Sequence, residues 1–202
     1  MTPLVDHPEH NVIRLQIKKH KSLQGLSAED FAALEPHLEI IDARKGDFLR
    51  NQGVRDMAQY FVLEGILKRV VSNPAGKEMI LRFSGEADME TSYAAWRTGT
   101  PTPYAIVSVT KSRVACLPLV DWVAFLEKRP QLLQQFEFNV MQVMTEIMAH
   151  IITLHLLDAP GRFQRFMRKH PEMLEHLPQK ELASYLNLAP ETLSRLKHSG
   201  KI

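Results

Sequence analysis

The residues best suited to a defined chemistry lie near the end of the chain, between Pro190 and His198. Arg can donate two hydrogen bonds to guanine, Glu can accept one from cytosine, and Thr or Ser can bond phosphate or base edges. Pro190 suits the first turn of a helix in which Leu193 and Leu196 point inward. The residues on the outward side of this helix are predicted to contact DNA: Pro190, Glu191, Thr192, Ser194, Arg195, Lys197 and His198.

A second short helix precedes this one and is opened by Pro178. Leu182 and Leu186 give it an apolar face, and Asn187 tolerates the left-handed conformation that ends many helices. Two short helices joined by a tight turn are the pattern of a helix-turn-helix, whose second helix lies in the major groove. Gly200 is expected to end the second helix. The alternative is an ordinary helical hairpin with a solvated polar face.

Positive charge is concentrated at the same end of the 202-residue chain. Net charge is +2, yet eight Lys or Arg and four acids lie between Ala159 and Ile202, so this segment carries +4 and the remainder −2. A basic segment on a slightly acidic body is typical of a nucleic-acid reader with a separate sensing body. Double-stranded DNA is therefore the expected partner. A sensing or scaffold module that has lost specific DNA binding is the alternative.

Several other classes of protein are disfavoured by the composition. The single cysteine, Cys116, excludes an intrachain disulfide and is expected to be a buried structural thiol. His150 and His155 are five residues apart, which is not the spacing of a helical metal pair, and no metal site is expected. No nucleophile–base pair or carboxylate dyad stands out, so we do not expect an enzyme. No stretch approaches the roughly 20 apolar residues of a membrane span, and we expect a cytoplasmic protein with no membrane partner.

The middle of the chain has the pattern of a β-domain. From Glu39 to Leu119, short β-type runs alternate with turn residues about every ten positions. That spacing predicts an antiparallel sandwich, barrel or jelly roll, interrupted by a short helix and loop between Ala87 and Pro103. Residues 1–12 are polar and expected to be loose. Much of the stretch from Asn11 to Leu38 looks helical, with a Ser27 cap.

A long helix is predicted from Pro130 to Leu157. Apolar residues recur every seven positions on one side, which indicates a dimer seam. We expect this side to face a partner helix and the other to face the β-domain, the alternative being a core helix of a monomer. The predicted seam is Leu133, Val140, Met144, Ile147, Ile151 and Leu154, and the second side is Phe138, Met141, Met148 and Ile152.

Five segments taken in order resemble the Crp/Fnr superfamily of bacterial transcription regulators: GDFLRNQG, YFVLEGILKRV, EMILRFSGEAD, LLDAPGRF and ELASYLNLAPETLSRL. The resemblance covers nearly the whole chain. It places Glu191 and Arg195 at groove-reading positions and Asp158 at the hinge before the DNA-binding domain. It implies a cyclic-nucleotide-binding-type jelly roll and a homodimer, which would read an inverted repeat. RNA polymerase is a further candidate partner.

The resemblance also places an effector pocket in the interrupting segment. In the family's nucleotide binders, a Gly-Glu pair and an Arg-Ser pair hold the ribose and the cyclic phosphate. Here Met89-Glu90 and Pro103-Tyr104 stand at those places, and the phosphate lacks its Arg. We therefore expect no cyclic AMP in the usual pose, no identified cofactor, and either another small-molecule effector or none. The pocket is predicted from Phe83, Met89, Glu90, Thr91, Ser92, Trp96, Arg97 and Tyr104, whose apolar members would equally serve as core.

These patterns together predict an α+β protein: an antiparallel β jelly roll with flanking helices, a long dimerisation helix and a small C-terminal all-α helix-turn-helix domain. The predicted boundaries are residues 1–125 for the sensor domain, 126–158 for the dimerisation helix and 159–202 for the DNA-binding domain. Pro190 stands where the family often has a basic or polar residue, which removes one contact to DNA. No strand wing is evident after the second helix, so the domain resembles a short, wingless form.

Overall fold

The computed structural model describes residues 1–198. Gly200, predicted to end the last helix, lies outside the described residues, as does the segment where a wing would follow. The strands are β1 (Thr2–Pro3), β2 (Glu39–Ala43), β3 (Phe48–Arg50), β4 (Ala58–Glu64), β5 (Leu67–Ser72), β6 (Glu78–Ser84), β7 (Met89–Thr91), β8 (Ala105–Ser108) and β9 (Ser112–Pro118). The helices are α1 (His10–Lys19), α2 (Ala28–Leu34), α3 (Tyr93–Arg97), α4 (Leu119–Glu127), α5 (Pro130–Leu156), α6 (Ala159–Lys169), α7 (Gln179–Tyr185) and α8 (Pro190–His198).

The strands form two antiparallel sheets, which confirms the predicted α+β class with a β-roll. One sheet has the order β1-β2-β9-β4-β7 and the other β3-β8-β5-β6. Successive residues of a strand point to opposite faces, so every second side chain enters the space between the sheets. Cys116 lies in this space. Burial raises the pKa of its thiol to about 12, which agrees with the predicted structural role. Its neighbours in this interior core include Tyr60, Val62, Leu67, Ile106 and Val114.

A second core lies between the five-stranded sheet and helices α1, α2, α4 and the first half of α5. Its centre is aromatic: Trp122 of α4 meets Phe61 of β4 edge to face at 5.3 Å and Phe136 of α5 at 5.8 Å. Because α4 contributes Trp122 and Leu126 to this core, the predicted domain boundary after residue 125 is wrong. It falls inside α4, which belongs to the β-domain as far as Glu127.

The N-terminal segment is better ordered than its polar composition predicted. Thr2 and Pro3 pair with β2, and Leu4 is buried in the second core, so residues 1–12 are not loose. The Ser27 cap is confirmed, because its side chain accepts a hydrogen bond from the Asp30 N–H at 3.0 Å. One short strand pair and one buried leucine are enough to fix this segment, and neither leaves a periodic signal in the sequence.

A third core joins the outer face of the four-stranded sheet to the C-terminal helices. Phe83 of β6 packs on Tyr185 of α7 with ring centroids 5.0 Å apart. At the edge of this contact, Lys68 of β5 donates to Glu181 of α7 at 2.8 Å. Within residues 1–198, no helix combines the length and apolar character needed to cross a membrane. The third core includes Ile66, Val70, Ile80 and Val107 from the sheet side and Phe163, Phe166, Leu182 and Leu193 from the helices.

Candidate nucleic-acid interface

Helices α7 and α8 are joined by the tight turn that the sequence predicted. Asn187 has a φ of +52°, the left-handed conformation, and its N–H donates to the Ser184 carbonyl at 3.1 Å. Ala183 is buried between the two helices, where its small side chain allows them to approach each other. Leu182 and Leu193 are buried beside it. The two helices therefore pack against each other, and the second presents its other side to solvent.

All seven predicted DNA-contacting residues lie on α8. Arg195 and Glu191 are exposed and four residues apart, which places them on one side of the helix. His198 Nδ1 donates to the Ser194 carbonyl at 2.7 Å, so this ring is held against its own helix. Pro190 and Lys197 are also exposed, whereas Thr192 and Ser194 are half-buried.

Arg162, which the sequence analysis did not single out, positions this helix pair. Its Nε atom donates to the Leu157 carbonyl at 2.9 Å, and its Nη1 atom donates to the Leu186 carbonyl at 3.2 Å. Asp158 caps the same helix, accepting from the Gly161 N–H at 2.9 Å. Arg162 thus links the end of α5 to the turn after α7. Only the tertiary fold brings these carbonyls together, so the sequence held no signal for this role.

A buried charged cluster occupies the inner side of β5, β6 and β7. Arg69 and Glu90 are 1% and 0% exposed, and the Arg69 Nε atom donates to a Glu90 oxygen at 2.8 Å. Burial disfavours the charged form of Arg69, but the Glu90 carboxylate outweighs this and holds the pKa of Arg69 above its ordinary value. The other Glu90 oxygen accepts from the Ser84 hydroxyl at 2.8 Å, and the Arg69 guanidinium lies 4.1 Å from the centre of the Tyr104 ring.

The structure corrects the predicted effector pocket, because its eight residues do not face one space. Glu90 and Tyr104 meet around Arg69, and the Tyr104 hydroxyl donates to the Thr91 carbonyl at 2.7 Å. Phe83 points to the opposite face of its sheet, as strand alternation requires. Arg69, next to Lys68 in the otherwise apolar run ILKRVV, was the sequence signal for this cluster. Of the others, Met89 and Trp96 join the second core, the Ser92 hydroxyl donates to Thr102, and Arg97 is exposed.

The exposed side of α5 is largely the one that was predicted to face the β-domain, with Met144 of the predicted seam also on it. Val140 and Ile147, the centre of the predicted seam, are buried within their own protomer. Met141 and Met148, assigned to the β-domain side, are instead 60% and 59% exposed. Seven-residue spacing marks a helix face that is buried, but it does not say what buries it. Of the other seam residues, Met144 is exposed, whereas Leu133, Ile151 and Leu154 are half-buried.

Comparison with known proteins agrees with this architecture. Residues 40–129 match the family of cyclic nucleotide-binding domains. Over 186 residues, the chain is 24% identical to the CRP-like cAMP-activated global transcriptional regulator of Mycobacterium tuberculosis, covering 85% of this chain and 81% of that protein. Over most of its length the chain is therefore similar to regulators of the Crp/Fnr superfamily.

Two solved structures share the fold of this chain at low sequence identity. FixK2 from Bradyrhizobium japonicum is 15% identical with a TM-score of 0.72, covering 80% of this chain and 83% of that one. The c-di-GMP-responsive global regulator CLP of Xanthomonas campestris is 14% identical with a TM-score of 0.67, covering 85% and 88%. In this chain, the segment that matches the cyclic nucleotide-binding family contains the Arg69–Glu90 cluster. Up to His198, no group of three or more His, Cys, Asp or Glu side chains is placed to hold a metal ion.

Proposed function

We propose that this Crp/Fnr chain is a sequence-specific DNA-binding transcription regulator of the bacterial cytoplasm, in which α7 and α8 form a helix-turn-helix. The exposed side of α8 carries the proposal. Arg195 is long enough to bond guanine O6 and N7 together, and Glu191 on the same side can accept from cytosine and steady Arg195. Lys197 and Thr192 are placed for phosphate contacts, which add affinity without sequence preference.

The regulator is proposed to act as a homodimer, with a second copy of the chain covering the exposed side of α5. This side, the methionine stripe, has three- and four-residue spacing along the helix, as a helix–helix contact requires. A two-fold axis beside α5 would present two α8 helices to successive major grooves, about 34 Å apart, and the target would be an inverted repeat. The methionine stripe is Phe138, Met141, Met144, Met148 and Ile152, each about half exposed or more.

The chain is proposed to divide by role into a β-domain that ends with α4, the dimerisation helix α5, and a DNA-binding unit from Ala159 onward. The β-domain is proposed not to bind cyclic AMP in the usual way. Glu90 is already paired with Arg69 and Ser84, so a ribose would have to displace a buried ion pair. Calorimetry with the full chain should give no tight, stoichiometric cyclic AMP binding. Tight binding at one site per chain would contradict this.

Selection from genomic fragments, followed by footprinting of those bound, tests the DNA-binding function. The expected result is a protected inverted repeat whose half-sites are centred about one helical turn apart. Binding that is weak and insensitive to sequence would reject specific recognition. The chain would then be a sensing or scaffold module that keeps the family fold without its DNA specificity.

A further inference from the structure

A small cavity lies where the long helix meets the DNA-binding unit, away from both the α8 surface and the Arg69–Glu90 cluster. Its volume is about 30 Å³. The side chains around it come from α5, α6 and α7 and from the residues that follow α6 and α7, so the cavity lies at the junction of three helices. The lining residues that matter below are Glu146, His150, Arg165, Lys169, His170 and Tyr185.

The cavity is surrounded mainly by cationic or proton-accepting groups. Arg165 makes no hydrogen bond or ion pair with any residue up to His198, so its guanidinium is available to a ligand. Glu146 is the one carboxylate of the lining, and it lies 4.0 Å from the Lys169 Nζ atom, which partly neutralises it. The pKa values of His150 and His170 are lowered first by burial, with a further contribution from Lys169. The formal charge of the lining is positive, since Arg162, Arg165 and Lys169 stand against Glu146.

His150 supplies an unmet polar group inside this cavity. The side chain is 8% exposed, and its buried Nε2 atom has no hydrogen-bond partner. The carbonyls of Ile80 and Tyr185 lie near the ring and favour its protonated form, but neither bonds the Nε2 atom. The ring is fixed by stacking on Tyr185, with centroids 3.7 Å apart and planes 2° from parallel. A buried polar nitrogen without a partner costs free energy, which a hydrogen bond to a bound ligand would recover.

The size of the cavity selects the class of ligand. One water needs roughly 10–15 Å³ of such space, so about 30 Å³ is room for two or three water-sized groups, the scale of a small ion. A free guanidinium, an ammonium and an imidazole are the groups that bind small oxyanions through charge-assisted hydrogen bonds.

We propose that this cavity binds a small free oxyanion of the phosphate or sulfate type, held by Arg165, Lys169 and His150. Such an ion connects α6 and the Tyr185 end of α7 to α5. It therefore stabilises one position of the DNA-binding unit relative to the long helix. The proposal is independent of DNA recognition, because none of these residues lies on α8.

Thermal unfolding of the full chain in inorganic phosphate, against sodium chloride of equal ionic strength, tests the site. Binding to the native state should raise the Tm by roughly 2–6 °C at about ten times the Kd. Arg165→Gln should abolish most of this rise. Arg168→Gln is the matched control, since Arg168 lies exposed on the same helix outside the cavity, and it should respond as the wild type does.

A phosphate titration of the wild type followed by NMR adds a readout that does not depend on the variants. Saturable shifts of the His150 ring resonances are expected, with the same Kd as the thermal series. Equal Tm changes in chloride and phosphate, equal losses in both variants, or a His150 ring that does not respond would each overturn the proposal. Failure of DNA binding would leave the phosphate-dependent Tm, the comparison of the two variants and the NMR titration unaffected.

Discussion

At the scale of single residues, Arg195 decides whether α8 reads bases. Arg195→Ala should weaken binding by about 1–3 kcal/mol per half-site and flatten the preference at one base pair, because a bidentate contact to guanine is lost. Fluorescence anisotropy over a set of single-base-pair variants of the selected site measures both effects. If every sequence weakens equally and the preference survives, Arg195 holds phosphate and the reading face is assigned wrongly.

Lys197→Ala is the companion variant to Arg195→Ala, from the same exposed part of α8. Loss of one phosphate contact should weaken all sequences alike and reduce the slope of log K against log salt by about one. The two variants together separate base reading from charge, since only one of them should change sequence preference.

His20 should make the protein sensitive to acid. Its Nε2–H donates to the Asp88 carbonyl at 3.0 Å, and Nδ1 accepts from the Ser22 N–H at 3.2 Å, so the neutral ring is fully paired. Burial, the largest cause, lowers the pKa of His20 to about 4 from 6.5. Between these values, the unfolded chain binds a proton that the native chain does not. The contribution of His20 to the free energy of unfolding should therefore fall by up to about 3 kcal/mol as pH drops from 6.5 to 4.

Urea denaturation over that pH range measures the effect of His20. His20→Gln should lower stability at neutral pH yet give a shallower pH dependence. His155→Gln, at an exposed position, should keep the wild-type slope. An unchanged slope in His20→Gln would mean that other groups cause the acid sensitivity.

At the scale of elements, the methionine stripe of α5 should form the dimer. Met148→Asp places a charge in the middle of the stripe and should weaken association by several kcal/mol, because the charge must be buried unpaired. Sedimentation would then show monomers at concentrations where the wild type is dimeric. Gln142→Asp is the matched control, adding the same charge to α5 at an exposed position outside the stripe. A full-strength Met148→Asp dimer would place the interface elsewhere.

The elements themselves were predictable from local chemistry. Turn residues such as Gly65 and Gly76 marked the ends of strands, and both have positive φ values of 83° and 77°. Pro190 and Asn187 marked α8 and the turn before it for similarly local reasons. The orientation of α5 was not predictable, because both of its sides are apolar. Deciding between Val140 and Met141 requires knowing which side the β-domain already covers.

The candidate site was predictable to a different degree in each part. The outward-facing residues of α8 were predictable because the polar side of a surface helix leaves a periodic pattern in the sequence. The predicted pocket was wrong because it rested on the family resemblance, which does not fix the direction of each side chain. Phe83 and Arg82, for example, point to opposite faces of β6. The pairing of Arg69 with Glu90 requires strands β5 and β7 to meet across the roll. No local sequence pattern predicts that meeting.

At the scale of the whole molecule, the DNA-binding unit rests on the four-stranded sheet. Phe83→Ala removes the ring that packs on Tyr185 and should loosen α6–α8 from the sheet, at a cost of about 3–5 kcal/mol. Hydrogen exchange of the amides of α7 should accelerate. Phe48→Ala is the matched control, because Phe48 belongs to the same sheet but is 59% exposed, and it should leave that exchange unchanged. Faster exchange spread evenly over the chain would indicate global destabilisation rather than undocking.

The outer face of the four-stranded sheet, on which α6–α8 pack, has a consequence for biosynthesis. Ile66, Val70 and Val107 leave the ribosome well before Phe163 and Leu182, the residues that cover them. At roughly 5–20 residues per second, the growing chain holds an uncovered apolar sheet face for several seconds. A message truncated after α5 would leave that face permanently open. Helices α6–α8 therefore cover this face and end the nascent chain's exposure to aggregation, in addition to their proposed role in binding DNA.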